Sequence, residues 1–372
     1  VGPPPPRRGR RLLVAAIAAL AVLGGTIGAG LASAGSHTIT GSAQPVAQQP
    51  VATPNGSSAT ATAAQQVGVV DINTDLKYAN AQAAGTGMIL TSSGAVLTNN
   101  HVVEGATSIT VTVVSTGQSF DATVVGTDAT DDVAVLQMAG ASNLDPVHMG
   151  DSGSVAVGDQ ITAVGNAGGK GGAPHAATGN VVALGQSITA SDQAGRSEQL
   201  TGMIQINAQI QPGDSGGPLY NAAGDVIGMD TAASATGRTS APTAPGRQRT
   251  TATEAFAIPI SRAQSIAGQI QAGQSSSTVH IGQSAFLGVQ VQASGPASGA
   301  VVASTIPGGP AAGAGIVAGD VITAVDGRAV DSTSLSTVMQ GYHPGDQVRV
   351  AWTDASGRAH TATVSLTAGP AR

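Results

Sequence analysis

The sequence predicts a mostly-β protein in two folded units: an all-β barrel or sandwich, then a small α+β domain. Three observations carry this. Short alternating or apolar runs of strand length recur between residues 69 and 229, separated by Gly, Asp and Asn, the pattern of many short antiparallel strands. Glycine accounts for 52 of the 372 residues without a three-residue period, so tight turns are frequent. No long amphipathic helix appears before residues 260–270, which argues against a helix bundle. Hydrophobic residues make up 41% of the chain and aromatics only 2%. A sizeable core is therefore available, and it is built from Val, Ile, Leu and Ala. The length exceeds one ordinary domain.

Charge and cysteine content exclude several function classes. Asp and Glu total 21 against 15 Lys and Arg, a net charge of -6. Four of the cations (Arg7, Arg8, Arg10 and Arg11) sit at the extreme N-terminus, so the remainder is more acidic still. No basic surface for nucleic acid is available. The chain has no Cys, which rules out disulfides, thiolate catalysis and Cys-bound zinc. Its seven His are scattered without an HExxH pattern, so no metal or other cofactor is expected.

Residues 1–11 are rich in Pro and Arg and read as a basic cytoplasmic tail. Residues 12–34 are apolar and uncharged. They are long enough to span a bilayer as a helix, with the arginines inside and everything downstream outside. The same stretch also reads as a signal peptide with an apolar region at 12–23 and an A-x-A cleavage site at Ala32, Ser33 and Ala34. Either reading places the folded units outside the cytoplasm, anchored or secreted. Residues 35–66 are rich in Ser, Thr, Ala, Gln and Pro and read as a disordered linker.

The first folded unit is expected over 67–272. Strand-like runs lie at 69–72, 87–90, 95–98, 108–114, 122–125, 133–138, 160–164, 181–184, 203–206 and 226–229. After a polar spacer the second unit is expected over 279–368. It begins with a strand at 286–291, a small-residue helix at 310–316, and a strand at 321–325 that turns at Asp326 and Gly327. A polar helix at 332–340 follows, then a hairpin pairing 348–352 with 362–366.

The strongest chemical motif is GDSGGP at 213–218. Its glycines permit a tight loop that turns backbone N–H groups inward, with Ser215 at the apex. A serine hydroxyl is a weak nucleophile and needs a base and an orienting carboxylate. The base candidate is His101, at the end of a strand-like run. The carboxylate candidate is Asp132, directly before an apolar strand, with Asp128 and Asp131 as near alternatives. An α/β-hydrolase esterase is excluded, because the serine is not in a G-x-S-x-G turn and no βαβ alternation surrounds it.

Three separated segments resemble the HtrA/DegP serine proteases in the order His, Asp, Ser. These are TNNHVV at 98–103, TDDVAVL at 130–136, and QINAQIQPGDSGGPL at 205–219; GTG at 85–87 and FAIPIS at 256–261 also match. The resemblance covers roughly 67–368 and favours Asp132 over Asp131. It implies a chymotrypsin-like double β-barrel with the triad His101, Asp132 and Ser215. It further implies an oxyanion hole from the N–H groups of Gly213 and Ser215, and Ile210 lining a small apolar S1 pocket. Asp214 departs from the Asn frequent at that position. Residues 234–254 form a polar loop longer than is typical.

The second unit resembles a PDZ domain. FLGV at 286–289 looks like its carboxylate-binding loop, and 310–330 matches its helix–turn–strand signature. That resemblance implies capture of peptide C-termini by Phe286, Leu287, Gly288 and Val289, with the peptide adding a strand. The implied function is an endopeptidase acting on unfolded or exported proteins, trimeric by family resemblance. The alternative is a latent scaffold that holds peptide ends as a chaperone.

Overall fold

The computed structural model describes residues 57–191, 197–235, 253–292 and 299–371. Residues 12–34, expected as anchor or signal, and most of the long loop within 234–254 lie outside these. Among the described residues no helix is long and apolar enough to cross a membrane.

The chain enters with strand β1 (Ser58–Thr60) and a helical turn α1 (Ala63–Gln66). Both fall in the stretch expected to be linker, so that expectation is corrected for residues 57–66. The segment lacks large apolar side chains, and other interactions hold it. β1 pairs with residues 175–177, Ala61 is buried, and Thr62 with Gln65 forms a capping box on α1.

The first barrel follows: β2 (Val69–Leu76), β3 (Ala81–Ile89), β4 (Ala95–Thr98), the one-turn helix α2 (Asn100–Val103), β5 (Ser108–Val113), β6 (Ser119–Asp128) and β7 (Val133–Met138). Among the described residues the antiparallel order β6-β5-β2-β3-β4-β7 closes on itself through β6–β7 pairing. Alternation decides which faces turn inward. In β5 the buried positions are Ile109, Val111 and Val113, with Ser108 and Thr110 outward. Val70, Ile72, Val96, Ala134 and Leu136 join them in the interior.

The second barrel has β8 (Gln160–Gly165), β9 (His175–Ser191), β10 (Ser197–Ile206), β11 (Pro218–Asn221), β12 (Val226–Ala235) and β13 (Thr253–Pro259). It closes in the order β9-β10-β13-β12-β11-β8 through β8–β9 pairing, with β1 added outside β9. Its core is aliphatic: Ile161, Val181, Ile204, Ile206, Leu219 and Ile227. Helix α3 (Ile260–Gln271) buries Ile260, Ala263, Ile266, Ala267 and Ile270, an i, i+3, i+4 stripe. This stripe joins residues of both barrels in one shared core.

After α3, β14 (Val279–Ile281) pairs with β6 as an extra strand on the first barrel. Gly126 permits this, since a Cβ there would lie 2.6 Å from the His280 carbonyl oxygen. The last unit contains β15 (Ala285–Phe286), β16 (Val289–Val291), β17 (Ala300–Thr305), helical turn α4 (Pro310–Gly313), β18 (Val321–Val325), β19 (Arg328–Ala329), α5 (Ser334–Met339), β20 (Gln347–Thr353), β21 (Ala359–Ser365) and β22 (Thr367–Ala368). Its main sheet runs β16-β17-β18-β20-β21 over a core that includes Ile322, Val350 and Trp352.

Three expectations in this unit need adjustment. The strand expected over 286–291 is two strands, because Gly288 takes φ +80° and interrupts the extended run. The expected helix 310–316 stops at Gly313, before Gly315 at φ +86°. The expected helix 332–340 begins at Ser334, where the Asp331 carboxylate accepts the N–H groups of Thr333 and Ser334.

Candidate active site

His101 is carried by α2, immediately after β4 leaves the first barrel. Asp132 begins β7 from a left-handed backbone conformation, φ +54°, and is buried. That conformation is costly for a residue with a Cβ. Here it is held from outside, since the Asn99 side-chain amide donates to the Asp132 carbonyl at 3.0 Å. The carboxylate accepts the His101 backbone N–H at 3.0 Å and sits 2.9 and 3.0 Å from its Nδ1. An Asp so placed fixes the imidazole ring and leaves Nε2 to handle a proton.

The two alternative carboxylates are occupied elsewhere. Asp128 accepts the N–H groups of Thr130 and Asp131 and the Thr278 hydroxyl. Asp131 pairs with Arg262 of α3 at 2.5 Å.

Ser215 sits between barrels on a loop that glycine alone can form. Gly213 has φ +101° and Gly216 φ +86°. A Cβ on Gly213 would lie 2.2 Å from the Asn166 carbonyl oxygen, and one on Gly216 would lie 2.1 Å from that of Thr86. Hydrogen bonds fix the loop from both sides. Thr86 donates its N–H to the Ser215 carbonyl and its hydroxyl to the Gly213 carbonyl, while the Gly216 N–H reaches the Asp230 carbonyl. The Gly213 and Ser215 N–H groups donate to no acceptor among the described residues, as donors kept for an oxyanion require.

The sequence reading missed Thr231, in β12. Its carbonyl accepts the Ser215 hydroxyl at 3.1 Å, and its own hydroxyl donates to Asp132 Oδ2 at 2.5 Å. Thr231 therefore ties the serine to the carboxylate across the barrel interface. A lone Thr in an apolar strand carries no sequence signal for this.

His175 and Asp230 were also not anticipated. Asp214, directly before Ser215, lies beneath the loop with its Oδ2 accepting the Gln211 N–H at 2.8 Å. Burial pushes its carboxyl up to about 7. Asp230 is fully buried, and burial together with nearby Asp214 raises it well above the usual carboxylate range. His175 Nδ1 is 3.5 Å from Asp214 Oδ2, and burial lowers its imidazole. Asp71, in β2, is pushed up to about 6 by burial.

Ile210 is 6% exposed and packs in the second barrel's core with Ile206 and Leu219. In the last unit Leu287 is buried while Phe286 and Val289 are partly exposed. The loop carbonyls are engaged, Leu287 by the Ala311 N–H and Gly288 by that of Ile306. Phe286 does not stand free: its ring stacks on Tyr78 of the first barrel, centroids 5.2 Å apart. β16 is the terminal strand of its sheet and pairs with β17 alone among the described residues, leaving one edge for an added strand. No group of three or more metal-ligating side chains occurs among the described residues.

Comparison with known proteins identifies the kind of domain in each unit. Residues 85–229 match the family described as a trypsin-like peptidase domain, and 285–364 match a PDZ domain. Serine protease PepD of Mycobacterium tuberculosis is 34% identical over 308 residues, 80% of this chain and 63% of that protein. The putative serine protease HhoA of Synechocystis is 37% identical over 281 residues, 69% of this chain and 64% of that protein. A probable periplasmic serine endoprotease, DegP-like, of Brucella suis is 37% identical over 278 residues, 71% of this chain and 49% of that protein. The chain thus spans less than two thirds of each of these relatives. It is a trypsin-like peptidase domain joined to a PDZ domain, and a homologue of the HtrA/DegP serine proteases.

Proposed function

We propose that the protein is a serine endopeptidase of unfolded or exported proteins, acting outside the cytoplasm. The observation that carries this is the connected path from His101 through Asp132 and Thr231 to Ser215. In the proposed reaction Ser215 Oγ attacks the scissile carbonyl, and His101 takes its proton and later passes it to the leaving amine. Asp132 orients His101 and stabilises its cation. The N–H groups of Gly213 and Ser215 stabilise the oxyanion, a contribution worth about 10²–10³ in rate per donor.

The PDZ unit captures peptide C-termini through Leu287, Gly288 and Val289 and the open edge of β16. A small apolar residue before the cut fits the aliphatic surroundings of Ile210. Residues 12–34 anchor the chain or direct its export, and the assembly is a trimer.

The test compares the full chain with Ser215→Ala on unfolded casein, and measures binding of a peptide with a hydrophobic C-terminus to both. The parent cleaves, the variant does not, and both bind the peptide equally. Cleavage by the variant would show that another group is the nucleophile. A parent that binds the peptide and cleaves nothing would leave a peptide-holding scaffold.

A further inference from the structure

The loop that presents Ser215 rests on a cluster with no part in the proposed reaction. Behind it lie His175 at the start of β9, Asp214 within the loop, and Asp230 on β12. Among the described residues His175 and Asp230 are the titratable groups facing Asp214. The other neighbours are neutral: the Gln211 N–H, which Asp214 Oδ2 accepts, and Gly165 of β8. The cluster is under-satisfied in a buried place. Among the described residues, Asp214 Oδ1, both carboxyl oxygens of Asp230 and His175 Nδ1 have no hydrogen-bond partner. Such groups are retained at a cost, and two carboxylates this close cannot both be charged cheaply.

His175 is also fixed from its far side. Its Nε2 meets the Ser58 hydroxyl of β1, and β1 pairs with residues 175–177. A line of contacts therefore runs from the N-terminal strand through His175 to Asp214, one residue from the nucleophile.

We propose that His175 is a positioning residue for the Ser215 loop, its ring standing 3.5 Å from Asp214 so that one proton held by either group keeps an uncompensated charge from forming beneath the oxyanion donors. The inference rests on the endopeptidase reading. While the pair holds its proton, it is either imidazole with carboxylic acid or imidazolium with carboxylate, and both leave the loop neutral overall. When that proton is lost to solvent, a buried carboxylate remains beneath Ser215, and the loop rearranges to reach water.

The sign follows from the direction of the Asp214 shift. Its carboxyl is raised from 3.8 to about 7 in the folded chain. Stability is therefore fully present below the unfolded value and lost as pH rises towards about 7, after which it is level. Activity falls as pH passes through about 7, where the folded-state proton leaves.

The experiment measures kcat and KM for a peptide substrate from pH 5 to 9 for the full chain, Asp214→Asn, His175→Ala and His175→Gln. The parent loses kcat on the alkaline side, and Asp214→Asn removes that fall. His175→Ala lowers kcat about tenfold with KM unchanged, as loss of oxyanion alignment does. His175→Gln, whose amide donates at every pH, restores most of it. A parent and an Asp214→Asn variant with the same pH profile would overturn the proposal, as would a KM-only effect of His175→Ala. Melting temperatures over the same range separate this from failure of the endopeptidase reading. If the parent cleaves nothing, a melting advantage of Asp214→Asn that grows from pH 4 to 7 still supports the cluster, and a constant difference overturns it.

Discussion

At the residue scale, the site depends on positions where a side chain is excluded as much as on those that carry chemistry. Gly216 shows this most clearly. It combines positive φ with a neighbouring carbonyl oxygen 2.1 Å from where a Cβ would lie, and the Thr98 hydroxyl at 2.3 Å. Neither neighbour can retreat easily, because Thr98 Oγ1 donates to the Thr86 carbonyl at 2.7 Å and Thr86 N–H holds Ser215. Gly216→Ala therefore lowers stability by about 2–4 kcal/mol, combining backbone strain with overpacking, and reduces hydrolysis more than stability alone explains. Urea denaturation beside peptide turnover checks this. A variant with wild-type midpoint and activity would mean that the loop is plastic.

At the element scale, the parts legible in the sequence were those with an apolar period. The runs around Val70, Ile109, Leu136, Ile206 and Ile227 announce strands because one or both faces are buried. His101 and Ser215 were legible because a turn residue and a glycine loop flank them. Asp132 was separable from Asp128 and Asp131 only by resemblance, since all three precede the same strand and the partners that distinguish them are distant in sequence. β1 was not legible at all: Ser58, Ala59 and Thr60 have no apolar signal, and their strand exists because β9 offers an edge. This gives a prediction. A chain beginning at Ser57 keeps β1, whereas one beginning at Thr62 loses its pairing, the buried Ala61 and the Ser58 contact to His175. The shorter chain is less stable by about 2 kcal/mol, on the scale of a few net hydrogen bonds, and its kcat falls while KM holds. Equal melting temperature and kcat for the two chains would remove β1 from any role in the site.

At the scale of the whole molecule, the two units are stitched together at more places than their single covalent connection. β14 extends the first barrel, and the Phe286 ring lies on Tyr78. The C-terminal tail then returns. β22 pairs with β15, the Gly369 N–H reaches the Ser284 carbonyl, and Ala371 exchanges hydrogen bonds with the first barrel. Its carbonyl accepts the Gly105 N–H at 2.6 Å, and its N–H donates to the Ala106 carbonyl at 2.9 Å. Gly105 and Ala106 lie just beyond Glu104, which caps the helix that bears His101, so residues 369–371 brace the element holding the proposed base. Two net hydrogen bonds and one partly buried methyl contribute about 1–3 kcal/mol, a large part of the coupling expected between domains that otherwise move independently. Removing residues 369–372 is predicted to split one cooperative melting transition into two by scanning calorimetry, with the PDZ core around Trp352 melting apart from the barrels. Intrinsic fluorescence assigns the second transition, because Trp352 is the single tryptophan of the chain. If the truncated chain still melts in one step at the parent's temperature, then β14 and the Tyr78–Phe286 stack are sufficient to couple the units, and the tail braces nothing.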